Sequence, residues 1–373
     1  MGIVADVNVS VRPGLFQSAV DGLRAWASYT NDHGGLAGRK VVVDFYDSQL
    51  TADGWRNGVV QSCEHDLAMV GTTAIADDNV RDMKRCGIPD LAALAPSTSH
   101  SASPLTFTMI PTVPNQELLG AAKWYLKAFK SQHCCKGVWL NPSASPASLA
   151  QANDFVKGQL QLGFTEARVF PVTGQESNFT PFALAIKKAG ATYVRVGTDY
   201  NQTVALRREA KVQGVNSVAV WDCSLQCYNP DFIKTGGTDV EGQYVYIFYE
   251  PFEETDKYPG LQKFVNAMKK YQPKTPINSF SQNAWISGLM FGQAVQKVVA
   301  DKGANGLTRA NLLRALRGIH DFTADGTTGA VDIGNHQPNP CFMVMQVRSG
   351  KFVRVYPDKG LNCSPANVVT VKP

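Results

Sequence analysis

Short apolar runs alternate along this chain with longer segments whose apolar residues recur at helical spacing, and small polar loops separate the two. Residues 3 to 7 form the first run and predict a strand. Residues 14 to 31 predict a helix with Leu15, Ala19, Leu23 and Trp26 on one face, stopped by the turn His33-Gly34-Gly35-Leu36-Ala37-Gly38. A strand over 40 to 46, a helix over 53 to 63, a strand over 66 to 70, a helical segment over 79 to 86 and an apolar run over 91 to 95 continue the pattern. Strict strand and helix alternation is what a parallel sheet covered by helices requires.

A proline-rich stretch from Pro104 through Pro111 to Pro114 interrupts the rhythm, which then resumes as a second series. That series predicts helix 115 to 130, strand 137 to 140, helix 147 to 161, strand 167 to 170, helix 179 to 189, strand 192 to 196, helix 201 to 212 and strands 217 to 221 and 244 to 249. Three helices near 260 to 271, 280 to 300 and 308 to 317 follow without intervening strands and are expected to return to the first lobe. The runs 342 to 347 and 352 to 356 flank Arg348-Ser349-Gly350-Lys351 and predict a terminal β-hairpin. The expectation is α/β: two Rossmann-like lobes, 1–113 plus 249–325 and 114–248 plus 326–373, joined by strands and not by a low-complexity linker.

Length agrees, since 373 residues fit two lobes that each bury a core. With 44% hydrophobic and 18% charged residues, the chain carries no apolar run long enough for a membrane span. Its formal charge of +5 is spread among acids and not gathered into a stripe, so no nucleic-acid partner is expected. No charged leader or apolar export segment precedes residue 3, so either the chain is cytosolic or its signal peptide has been removed. The eight cysteines favour the second option, because an even number in local pairs fits an oxidised, exported protein. Cys63 with Cys86, Cys223 with Cys227, and Cys341 with Cys363 would each close a loop within one lobe. Cys134 and Cys135 are adjacent, and either bridge or remain thiols. The lone C-x3-C lacks the neighbours that a zinc site needs, so no metal and no cofactor are expected.

Enzymatic chemistry finds no support. Gly34-Gly35-x-x-Gly38-Arg39-Lys40 precedes a strand, whereas a phosphate loop follows one and opens a helix. The six histidines are dispersed, and neither His-Glu-x-x-His nor Gly-x-Ser-x-Gly occurs. Acidic pairs such as Asp77-Asp78 and Glu253-Glu254 are read as solvated faces or helix starts. The loops following the strands are distinctive: Thr72-Thr73-Ala74-Ile75, Ser97-Thr98-Ser99, Ser143-Ala144-Ser145 and Thr198-Asp199-Tyr200. In an open α/β sheet, ligands bind on this side. Each hydroxyl could equally cap its own helix.

These landmarks resemble the type I solute-binding proteins of ABC importers, in the branched-chain amino acid binding family. Asn31-Asp32-His33-Gly34-Gly35-Leu36-Ala37-Gly38-Arg39-Lys40 before a strand is similar to that family's Asn-x-x-Gly-Gly-x-x-Gly-Arg-Lys. Tyr46-Asp47-Ser48, Ala68-Met69-Val70-Gly71, Asn178-Phe179-Thr180-Pro181 and the segment 307 to 316 follow in the family's order. The resemblance implies three crossovers between lobes, a ligand cleft that closes about a hinge, and delivery to permease subunits in the membrane. It carries Thr73, Ala74 and Ile75, beside Thr72, onto the first carboxylate-binding loop, and Ser97, Thr98 and Ser99 onto the second. It places Asp199 where an aromatic ligand contact is usual, next to Tyr200, puts Asp222 or Cys223 at the acid that pairs with an amino group, and puts Phe280 in the side-chain pocket. Ile75 replaces a usual hydroxyl donor and Pro146 sits near the place of an aromatic lid. Both departures point away from an α-amino acid. The expected function is an extracytoplasmic, monomeric solute-binding subunit, periplasmic or anchored at the cell surface. The other reading left open is a ligand-sensing domain of a regulator or receptor with the same fold.

Overall fold

In the computed structural model, which describes residues 1–10 and 12–372, the chain divides into two compact units. The first comprises Met1–Pro114 and Glu254–Asn339, and the second Asn115–Glu253 and Pro340–Pro373. The chain therefore passes between units three times, as the resemblance implied, but each boundary falls later than expected. The largest displacement is the third, from 325 to 339. Residues 326–339 stay with the first unit because Val331 bridges Phe322 and the Gly334 N–H donates to the Ile319 carbonyl at 2.9 Å.

Both units repeat one topology. The sheet of the first unit runs Asp44–Asp47, Gly2–Ala5, Met69–Val70, Asp90–Leu91, Thr106–Phe107, all parallel. That of the second runs Thr165–Val172, Lys136–Pro142, Tyr193–Val196, Val220–Cys223, Tyr244–Ile247, again parallel. The order in each is second, first, third, fourth, fifth, the doubly wound arrangement whose crevice lies where the winding reverses, between first and third strands. The hairpin Met343–Arg348 and Lys351–Tyr356 extends the second sheet with antiparallel strands. Its turn places Ser349 at φ 50° and Gly350 at φ 68°, the two positive values of a hairpin that keeps the strand twist.

Helices form where the apolar spacing placed them. Gln17–Asp32 ends in a turn in which Gly34, Gly35, Ala37 and Gly38 all have positive φ, confirming that the glycine cluster is a helix stop. Ser279–Lys302 packs against Gln17–Asp32, and an added Cβ at Gly22 would lie 2.1 Å from the Ser281 carbonyl oxygen. On the other face of the first sheet, Val4, Trp55, Val59, Met69, Met83 and Ile88 form a core beneath Ala52–His65 and Arg81–Cys86. Two expectations fail. Gln116–Leu118, read as helix, is a strand paired with Val368–Thr370, and the helix begins only at Gly120. The strand expected over 40 to 46 is confined to Asp44–Asp47.

All eight cysteines are paired: Cys63 with Cys86, Cys134 with Cys135, Cys223 with Cys227, and Cys341 with Cys363. The first joins the ends of two helices, and Arg309 secures the same place. Its guanidinium donates to the carbonyls of Cys63 at 2.6 Å, Asp66 at 2.5 Å and Cys86 at 3.2 Å, satisfying acceptors that helix ends leave open. Among the described residues no helix is long and apolar enough to cross a membrane.

Candidate functional site

In the first unit the crevice side of the sheet is organised by three buried carboxylates. Asp6, just past the first strand, accepts from the Ser48 hydroxyl at 2.6 Å, the Leu50 N–H at 2.7 Å and the Ile75 N–H at 2.8 Å. Burial raises its pKa, and these donors oppose the rise. Asp77 and Asp90 enclose the His100 imidazole, with Nδ1 2.7 Å from Asp77 Oδ2 and Nε2 2.8 Å from Asp90 Oδ2, and all three side chains are 0% exposed. Burial works against the imidazolium, but the hydrogen bonds to Asp77 and Asp90 and their charges outweigh it, holding its pKa up at about 9. The reading of Asp77-Asp78 as a solvated pair therefore fails at Asp77. Its second oxygen accepts the Ser97 N–H at 3.2 Å, while Asp78 is exposed.

These acids hold three donors of the expected ligand loops, the Thr72 hydroxyl and the N–H groups of Ile75 and Ser97. Thr72 is buried and donates to Asp90 Oδ1 at 2.8 Å, Thr73 is buried and donates to the Gly71 carbonyl at 2.8 Å, and Ala74 is fully enclosed. Ser97 is buried as the cap of Thr98–Ser101, accepting from the His100 N–H. Thr98 and Ser99 are exposed, and the Ser99 hydroxyl bonds the Asp78 carbonyl at 2.8 Å. Ile75 is half-buried with its N–H committed to Asp6, and Phe280, also half-buried, meets Phe16 edge to face at 4.8 Å. A small pocket beside these loops is lined by Ala92, Thr108, Met109 and Asn283.

In the second unit Asp222, expected from the sequence, sits in a buried polar network whose other members sequence reasoning missed. Asp222, 2% exposed, accepts from the Tyr125 hydroxyl at 2.8 Å, the Tyr193 hydroxyl at 2.6 Å and Arg195 at 2.7 Å. Arg195 also donates to the Tyr246 hydroxyl at 2.9 Å and lies 4.4 Å from the Phe155 ring centroid. The signal was available: in Tyr193–Val196 the arginine faces the packed side of a central strand, and an arginine there demands an acid on its neighbour, which register supplies as Asp222. Half-buried Glu117 has its pKa raised to about 8 by burial and by Asp154, against the influence of Arg195. Asp199 caps Tyr200–Val212, accepting from the N–H groups of Asn201 at 2.6 Å and Gln202 at 3.3 Å, and Tyr200 opens that helix.

The family described as periplasmic binding protein matches residues 2–351. A protein of Brucella abortus (strain 2308) named Leu/Ile/Val-binding protein homolog 7 is 26% identical over 220 residues, 58% of this chain and 53% of the relative, so the match spans about half of the relative's length. Among solved structures, a leucine binding protein from Thermotoga maritima aligns with a TM-score of 0.78 at 16% identity, covering 98% of this chain and 99% of that one. A fatty acid ABC transporter substrate-binding protein from Thermomonospora curvata gives 0.78 at 17% identity, covering 98% and 92%. A branched chain amino acid ABC transporter protein from Thermus thermophilus with bound valine gives 0.77 at 14% identity, covering 98% and 97%. The repeated doubly wound topology and the match over residues 2–351 agree: the chain belongs to the periplasmic binding protein family and has its type I fold.

Proposed function

We propose that this chain is the extracytoplasmic solute-binding subunit of an ABC transporter, which captures a small organic molecule by closing about its crossovers and delivers it to permease subunits. The observation that carries the reading is the family match over residues 2–351 on a chain whose parallel strands open, in each unit, onto loops bearing hydroxyl and amide groups. We assign the contacts to the loops 72–75 and 97–99 with Phe280 in the first unit, and to Asp199, Tyr200 and the neighbourhood of Asp222 in the second.

The ligand is an apolar or aromatic carboxylate and not a free branched-chain amino acid. An ammonium needs a carboxylate with acceptor capacity to spare, because an unpaired buried charge costs several kcal/mol, on the order of the whole pairing energy. Asp222 already holds three donors, and its charge is matched by Arg195. The exposed Thr98 hydroxyl suits an anion, and the Phe16 and Phe280 rings suit an apolar body. Proteins named for leucine and for fatty acid share the fold, so both ligand classes are sterically compatible with it. Mass spectrometry of molecules released from the purified protein, followed by calorimetry, tests the assignment. Benzoate, phenylacetate or cyclohexanecarboxylate should bind at micromolar or tighter affinity. Binding of leucine, isoleucine or valine with none of the acids would overturn the ligand class, and neither a released molecule nor any binding would overturn the transport reading.

A further inference from the structure

We propose that His100 is a positioning residue for ligand binding: a doubly protonated imidazolium that ties loops 72–77 and 97–100 into one rigid surface, and whose deprotonation in alkaline solution releases them. The proton inventory carries this inference. Both ring nitrogens meet carboxylate oxygens, at 2.7 Å and 2.8 Å, whereas a neutral imidazole has only one N–H to donate. The other oxygen of each acid is also occupied, Asp77 Oδ1 by the Ser97 N–H and Asp90 Oδ1 by the Thr72 hydroxyl, so the second proton must lie in one of the two ring–carboxylate contacts, and the imidazole, ordinarily the stronger base, holds it. Two carboxylates around one imidazolium satisfy every contact.

The imidazolium joins three separate segments of the first unit. Asp77 belongs to the loop after Met69–Val70, Asp90 opens the next strand, and His100 lies in the helix Thr98–Ser101. Through Thr72, Ser97 and its own N–H to the Ser97 hydroxyl, the ring reaches both loops that follow neighbouring strands. The charged groups facing it are Asp77 and Asp90. Helix Ala52–His65 contributes the Trp55 ring at 4.9 Å, whose indole N–H bonds the Asn79 carbonyl and fixes the loop's far end. Loss of one proton would leave a lone pair against a carboxylate in a site sealed from water, and one loop must then move away. The raised imidazole pKa is consistent with a charge that persists through neutral pH and is lost near pH 9.

The proposal rests on the reading of these loops as ligand contacts, but its test needs no ligand, so the two can fail separately. In protein labelled with ¹⁵N in histidine and in the backbone, His100 should show both ring nitrogens protonated at pH 7.5 and should titrate with a midpoint near 9. Amide resonances of residues 72–77 and 97–100 should shift with that midpoint, while those of Ser143–Ser145 in the other unit should not. The His100→Gln variant should display the displaced loop resonances already at pH 7.5, with no step near pH 9. If that variant fails to fold, the wild-type titration still decides. A single neutral tautomer at pH 7.5, or an imidazolium whose titration leaves both loops unmoved, overturns the proposal.

Discussion

At the scale of single residues, the chain keeps several ionisable groups in packed surroundings, and the direction of each shift sets how stability depends on pH. His100 is held at about 9 against an ordinary 6.5, so its contribution is complete below pH 6.5 and disappears as pH rises through about 9. Glu117, raised from 4.5 to about 8, binds a proton more tightly when folded. Its effect is also most favourable at low pH and declines from pH 4.5 until it levels off above 8. Both slopes have the same sign, so stability measured by urea unfolding should fall from pH 6 to pH 9, by up to about 1.4 kcal/mol per pH unit for each group inside its window. Glu117→Gln should flatten the slope below pH 8 and His100→Gln the slope between 6.5 and 9. A profile that rises with pH across this range would contradict both assignments. Arg195 supplies a second check. Arg195→Leu leaves Asp222 buried with two tyrosine donors and no cation, which should cost about 3 to 5 kcal/mol in unfolding free energy, while Arg195→Leu with Asp222→Asn should recover part of that loss.

At the scale of elements, sequence pattern and structure agree where the information is local and part where it is not. The helices Ala52–His65, Pro146–Gln161 and Ser279–Lys302 fall within a few residues of their expected bounds, because apolar spacing and caps such as Thr51, Ser145 and Asn278 are written within each segment. Gln116–Leu118 was misread because nothing local makes it a strand. Its partner Val368–Thr370 stands at the far end of the chain, and pairing overrides propensity. The site shows the same division. The loops at the strand ends were visible as clusters of hydroxyls, yet Thr72, Thr73 and Ser99 proved to be bonded within the unit, and the groups that organise these loops, Asp6, Asp77, Asp90 and His100, come together only in three dimensions. A partial signal existed in Asp6 and Asp90, acids set within apolar runs that can be buried only with donors to match. One element-scale prediction follows from Arg309 and the Cys63–Cys86 bridge, which secure the same helix ends. Arg309→Ala should cost about 1.5 to 3 kcal/mol, the range for hydrogen bonds to a charged group. Replacing both cysteines by serine should cost about 2 to 4 kcal/mol. Because both constraints act on one place, their combined cost in urea unfolding should differ from the sum, whereas independent sites would add.

At the scale of the whole molecule, two units with separate cores are linked by three passages of the chain, at 114 to 115, 253 to 254 and 339 to 340. Under the proposed function, binding a small molecule has a simple mechanical consequence: the units draw together as the loops from each engage it. Ligand that binds only the folded state raises stability by RT ln(1 + [L]/Kd), about 2.7 kcal/mol at a hundredfold excess over Kd. For a 373-residue chain that unfolds as a whole, that amounts to a rise of roughly 1 °C in melting temperature for each kcal/mol. Stabilisation alone would follow from any tight ligand, including one that settles on a single unit. Closure adds a second requirement, that the particle become more compact under the same conditions. Small-angle scattering with saturating phenylacetate, or with whichever acid is released from the purified protein, should show a smaller radius of gyration than the ligand-free protein. A raised melting temperature with an unchanged radius would mean that the ligand sits on one unit without moving the other, and the capture mechanism would then be wrong even if the ligand were right.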